Sequence, residues 1–205
     1  MNKKFSVLID KKIKKFNKII QIPGDKSCSI RAIIFASQCI GISNIKNLLE
    51  SDDVLSSINV LRSLKVKIKK NKNIWKVYGN GLGSFINTKK IKIYVGNSGT
   101  TARLLMGLLA TNPRKFYLYG DKSMNKRDMS RVFTPLEKIG AFFYPQNKKT
   151  LPITIEGTSM PLAQSHIENI GSAQVKSCLL AAFLNTPGRS NIEEKKISRN
   201  HTEIL

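Results

Sequence analysis

Acidic residues are scarce in this chain. Thirteen Asp and Glu stand against 35 Lys and Arg, leaving a formal net charge of +22. Histidine occurs twice, as His166 and His201, and tryptophan once. With no clustered carboxylates beside them, two histidines argue against a metal site, and none is expected. The three cysteines, Cys28, Cys39 and Cys178, are an odd number without metal-binding spacing. They read as free thiols in a reducing compartment, so a cytoplasmic location is expected. No apolar run reaches the length of a membrane span. The charged front of Met1–Asp10 is followed by only a few apolar residues, which argues against a signal peptide.

The excess of positive charge has a bland source. Of the 35 basic residues, 27 are Lys, spread through every expected loop. Lys, Ile and Asn dominate together, as an A+T-biased coding sequence would give. No basic stripe is interleaved with aromatics and no nucleic-acid motif is present, so no nucleic-acid partner is expected. The positive field suits an anionic small molecule, which it would gather. At 205 residues and 41% hydrophobic content, the chain can form one domain with a real core, or two small ones.

One stretch organises the rest. Gly24–Arg31 (Gly-Asp-Lys-Ser-Cys-Ser-Ile-Arg) lies between an expected strand, residues 19–22, and an expected helix, Ala32–Ile40. Pro23-Gly24 is turn chemistry, and Ser27 or Asp25 can cap the helix. Free N–H groups and the helix dipole then face one spot, with Lys26 and Arg31 beside it. Such a seat suits a phosphate or carboxylate. The arrangement recurs at Val95–Arg103 and at Ile170–Lys176. Superposing Ser27, Gly99 and Ser172 brings Arg31, Arg103 and Lys176 into register, at offsets of 72 and 73 residues (27 to 99, 99 to 172).

The repeat extends further. Leu61–Val66 echoes Leu136–Ala141, each closing a second helix, and hairpin-like pairs end at Gly79 and Gly157. The units run over about 21–87, 91–157 and 165–205, after a basic arm at 1–20. The fold expected is α/β (α+β), a domain of βαβαββ repeats with pseudo-threefold symmetry, helices inward and sheets outward. Ser198–Glu203 reads as a cap and the start of another helix, which leaves the third repeat incomplete by about 30 residues. Trp75 reads as a packing residue and His166 as lying on a strand edge. The loop 120–129 reads either as solvated or as a clamp in which Arg127 grips an anion in its planar fork.

Taken together, Gly24–Arg31, Gly96–Arg103, Lys126–Met129, Ser172–Ser177 and Arg199–Glu203 resemble, in order and spacing, the amino-terminal half of the 5-enolpyruvylshikimate-3-phosphate synthase family, of the Ser-Ala-Gln kind. The resemblance implies transfer of the enolpyruvyl group of phosphoenolpyruvate to the 5-hydroxyl of shikimate 3-phosphate, on the route to chorismate. It implies an enolpyruvyl transferase fold of two similar domains, the second absent here, and a monomer. By motif match, Lys26, Ser27, Arg31, Ser172, Ala173, Gln174 and Arg199, with Ser198 beside them, would hold shikimate 3-phosphate. Lys26, Asn97, Gly99, Arg127 and Gln174 would hold phosphoenolpyruvate, with Thr100 shaping the turn. Lys26 would be the catalytic group, and no metal, cofactor or covalent nucleophile is required. Gly99 implies ordinary sensitivity to glyphosate. The family's acid/base carboxylates belong to the other half, so this chain alone is expected to be inactive. Asp128 stands where the family usually has Pro, which would leave the loop less rigid. UDP-N-acetylglucosamine enolpyruvyl transferase is the nearest rival, but its reactive loop Cys has no counterpart at residues 120–127. A basic RNA-binding module is the rival of another class.

Overall fold

The computed structural model describes residues 6, 8, 10–12, 15, 17, 19, 20, 22–85 and 91–205, so most of the expected basic arm lies outside the described residues. The first unit holds α1 (Lys26–Gln38), β1 (Ile40–Lys46), α2 (Asp52–Ser63), β2 (Lys67–Asn71) and β3 (Ile74–Asn80). The second holds β4 (Ile91–Tyr94), α3 (Gly99–Ala110), β5 (Lys115–Tyr119), α4 (Ser130–Ile139), β6 (Phe142–Tyr144) and β7 (Ile153–Glu156). The third holds β8 (Ser165–Glu168), α5 (Ala173–Phe183) and β9 (Asn191–Glu194).

The sheets repeat the same pairing. Their orders are β1-β3-β2, β4-β5-β7-β6 and β8-β9. The antiparallel ladders of β1 and β2 on β3 match those of β5 and β6 on β7. The parallel pair β4/β5 matches β8/β9. Only the second unit shows the full βαβαββ order among the described residues.

Two expectations are corrected. Ile19, Ile20 and Ile22 are exposed and belong to no strand, while Gln21 lies outside the described residues. An extended segment becomes a strand only when its N–H and C=O groups join a ladder, and this one joins none. Ser198–Glu203 forms no helix; only a turn covers His201–Ile204. There the Glu203 carboxylate lies 2.5 Å from Lys176 Nζ and Thr202 accepts from Arg31. Tertiary partners hold the segment without the cost of nucleating a helix.

Helices face inward and sheets outward. Every residue of α3 is buried except Arg103. Val77, Ile93, Phe116, Leu118, Ile153 and Ile155 point from the sheets into this core, whereas Tyr94, Phe142 and Tyr144 lie exposed on the outer faces. Trp75 packs in the core, and its ring N–H donates to Glu50 at 3.1 Å. Helices α3 and α5 approach so closely that a Cβ on Gly107 would stand 2.0 Å from the Cys178 carbonyl oxygen. Among the described residues no helix is long and apolar enough to cross a membrane.

The echo between the second helices is a shared stop. In both, an N–H reaches back five residues (Val66 to Leu61, Ala141 to Leu136) and the preceding N–H reaches back three. The residue between is left-handed, Lys65 at φ 69° and Gly140 at φ 114°. This is the Schellman arrangement, which favours Gly because a Cβ crowds the following carbonyl.

Two stability outcomes follow from this packing. Lys65→Gly is expected to stabilise the chain by about 1 kcal/mol, a rise in Tm of roughly 2–4 °C. Gly107→Ala is expected to cost about 3 kcal/mol or more, because backbone carbonyl and helix axis must move together. Urea unfolding of the two variants checks both signs.

Candidate active site

All three repeated helices open with the same cap. Asp25, Ser98 and Ser172 take the N-cap of α1, α3 and α5, and each side-chain oxygen accepts the N–H three residues on, from Cys28, Thr101 and Val175. Asp25, rather than Ser27, caps α1. The caps lie 73 and 74 residues apart (25 to 98, 98 to 172), so the sequence register through Ser27 and Gly99 slips by one residue at each step. Each cap satisfies one orphan donor and leaves its neighbours free for an anion.

The three openings converge on one cavity of about 450 Å³. It is lined by Ser27 and Arg31 of α1, Thr100 of α3, Ser172, Ala173 and Gln174 at the start of α5, and Ser198, Arg199 and His201 of the following turn. Its size fits a small metabolite. Arg31, only 1% exposed, lies at its floor. Its guanidinium donates to Thr202 Oγ1 at 2.9 Å, Ser177 Oγ at 2.9 Å and the Ser27 carbonyl at 3.1 Å. All are neutral acceptors. Burial lowers the Arg31 pKa, but a guanidinium stays charged at any ordinary pH. A buried cation without a hydrogen-bonded carboxylate leaves charge for a ligand to balance.

A second cluster adjoins the first. Gln174 accepts from Arg103 at 2.6 Å and donates to Thr100 at 3.2 Å. Arg127 donates to the Asn97 side-chain oxygen. A Cβ on Gly99 would lie 2.9 Å from an Arg103 Nη, 3.0 Å from an Arg127 Nη and 3.5 Å from Gln174 Oε1. Gly99 therefore keeps open the floor between two guanidinia. Burial lowers the Arg103 pKa, and the charges of Arg127 and Arg131 push the same way.

The loop before α4 is anchored. Met124 is buried, Asn125 accepts from Gly120 N–H and Asp121 accepts from Met124 N–H. Asp128 accepts from the backbone of Ser130 at 2.7 Å, and hydrogen bonds from Ser130 hold its carboxyl below the usual range. Asp128 thus ties the segment to the first residue of α4.

Three placements depart from the motif reading. Lys26 does not line the cavity; its ammonium lies 2.9 Å from Asp53 of α2. Lys176, in register with Arg31 and Arg103, turns away to Glu194 at 2.7 Å and Glu203 at 2.5 Å. Arg103 was not singled out as a ligand, although its alignment with Arg31 was the available signal.

The chain matches the family model described as EPSP synthase (3-phosphoshikimate 1-carboxyvinyltransferase) over residues 10–205. It belongs to the EPSP synthase family. It is 44% identical over 195 residues to 3-phosphoshikimate 1-carboxyvinyltransferase of Oenococcus oeni, an alignment covering 95% of this chain and 44% of that protein. Against the enzyme of the same name from Zymomonas mobilis it is 38% identical over 199 residues, covering 97% and 44%. The solved EPSP synthase of Acinetobacter baumannii superposes with a TM-score of 0.83 at 33% identity, covering 90% of this chain and 42% of that one. This EPSP synthase-family chain therefore spans less than half the length of these relatives.

Gly99→Ala should leave the fold intact, since the atoms in the way are the ends of flexible side chains. It should weaken anion binding by about tenfold by shifting charged donors, as phosphate titration would report. The Lys176 cluster sets a pH dependence. Burial opposes charge on Glu194 and Glu203, but hydrogen bonds from Lys176 prevail and their pKa values fall. Their contribution is present above the ordinary carboxylate range and is lost as pH falls through the lowered folded values. Lys176 is raised by the same bonds against its burial, so its share is lost only as pH climbs past the raised value. Glu194→Gln should flatten the acid limb of the urea midpoint against pH.

Proposed function

We propose that this chain is the amino-terminal part of a 3-phosphoshikimate 1-carboxyvinyltransferase, with a carboxy-terminal domain supplying the rest of the active site. Ser27, Arg31, Ser172, Ala173, Gln174 and Arg199 bind shikimate 3-phosphate in the cavity beneath the three helix openings. Asn97, Gly99, Arg127 and Gln174 seat phosphoenolpyruvate at the adjoining cluster, and Arg103 adds a second guanidinium there. The observation that supports this most is Arg31, buried and charged at the floor of a cavity of metabolite size.

The chemistry suits these groups. The 5-hydroxyl oxygen of shikimate 3-phosphate adds to C2 of phosphoenolpyruvate and a proton reaches C3. The tetrahedral intermediate then loses phosphate from C2 and a proton from C3 to leave the enolpyruvyl ether. Both substrates are anions, so preorganised cations and N–H groups orient them and balance charge without rearranging. Lys26 is proposed to join them when substrate arrives. Its bridge to Asp53 is half-exposed, and such bridges are worth only about 0.2–1 kcal/mol, so a phosphorylated ligand can capture the ammonium. The acid/base carboxylates that complete the reaction belong to the other domain.

Shikimate 3-phosphate is expected to raise the Tm of the 205-residue chain, by an amount equivalent to about 2.7 kcal/mol at a hundredfold excess over Kd. Shikimate without its phosphate should give no comparable shift, and Arg199→Ala should reduce the response. An unchanged Tm at saturating shikimate 3-phosphate would overturn the assignment. With phosphoenolpyruvate added, no product should form; turnover by this chain alone would overturn the need for a second domain.

A further inference from the structure

The structure brings together three metal-binding side chains that no spacing rule connects. Asp25 and Cys28 stand at the start of α1, and His201 lies 173 residues beyond Cys28 on the turn after β9. One ligand atom from each lies within 4.8 Å of the other two. Asp25 is exposed, and Cys28 and His201 are half-buried. Asp25 Oδ1 accepts the Cys28 N–H at 2.8 Å as the helix cap. Among the described residues the His201 imidazole makes no hydrogen bond, so both ring nitrogens are available.

We propose that Asp25, Cys28 and His201 form a site for a thiophilic divalent cation, with Zn²⁺ the best fit. A thiolate, an imidazole and one carboxylate oxygen are the donors Zn²⁺ takes in tetrahedral sites, and three protein ligands leave a fourth position for water. Mg²⁺ and Ca²⁺ prefer oxygen donors and are disfavoured by this set. Charge balances: the carboxylate and the thiolate offset the two positive charges of the ion while the imidazole stays neutral. Binding is a proton exchange. The Cys28 thiol proton leaves to solvent as the S–Zn bond forms.

The site also has a position of consequence. Asp25 and Cys28 lie within two residues of Ser27, which lines the anion cavity together with Ser198, Arg199 and His201. A bound ion would hold the 201–204 turn against the start of α1. This expectation concerns metal binding alone and does not depend on the substrate assignment.

The test is titration of the metal-free 205-residue chain with Co²⁺ and then Zn²⁺. One equivalent of Co²⁺ should give a thiolate-to-cobalt charge-transfer band that Zn²⁺ abolishes, and Mg²⁺ should neither produce nor displace it. Cys28→Ser and His201→Ala should each remove the band and weaken Zn²⁺ binding by roughly tenfold or more. Asp25→Asn, which keeps an oxygen for the helix cap, should weaken binding while far-ultraviolet circular dichroism stays unchanged. Cys39→Ser, at the exposed thiol beyond the other end of α1, should leave everything as it was. A band that survives Cys28→Ser, one that disappears in Cys39→Ser, or no band in the parent chain would overturn the proposal.

Discussion

Arg31 is a cation taken out of water and given only neutral oxygens to hold. Burying a charge this way is costly unless something offsets it. Here the offset is assembled from the first and third repeats. Ser27 comes from its own helix, Ser177 from α5, and Thr202 from the turn after β9. The guanidinium therefore both binds the first unit to the third and keeps positive potential at the cavity floor. Much of the architecture can be read as the means of holding this one group still.

The pseudo-threefold plan makes this possible. Each unit delivers a capped helix opening to the same place, so donors from distant parts of the chain point one way. Close approach of α3 and α5 at Gly107 brings Thr100 and Gln174 near enough to hydrogen-bond, and Gln174 in turn steadies Arg103. The units have also diverged in use. In the first two, the cation after the opening faces the site. In the third, Lys176 is engaged by Glu194 and Glu203 and fastens the turn that carries Arg199. One repeated position thus carries a guanidinium beside the cavity twice and fastens the third unit once.

Asp128 ties the loop before α4 to the first residue of that helix by accepting the Ser130 N–H. Met124, Asp121 and Asn125 complete the anchoring, so Arg127 is presented from a fixed loop. A preorganised guanidinium loses less freedom when an anion arrives than one on a mobile strap would.

Much of this was legible in the chain itself, because helix caps, glycine stops and hydrophobic periodicity are local. The repeat, the five helices and most strands follow from them, whereas Arg31, Gly99, Arg127, Gln174 and Arg199 are singled out together only by the resemblance of ordered motifs to those of the family. What distance decides was not legible. Whether residues 19–22 find a ladder, whether Lys26 meets Asp53 or the cavity, and whether Lys176 turns in or out depend on groups far along the chain. So does the meeting of Asp25, Cys28 and His201, whose separation hides them from any spacing rule. The physical reason is common to all of these: a side chain's type is written locally, but its partner is chosen by packing among segments that meet only in three dimensions.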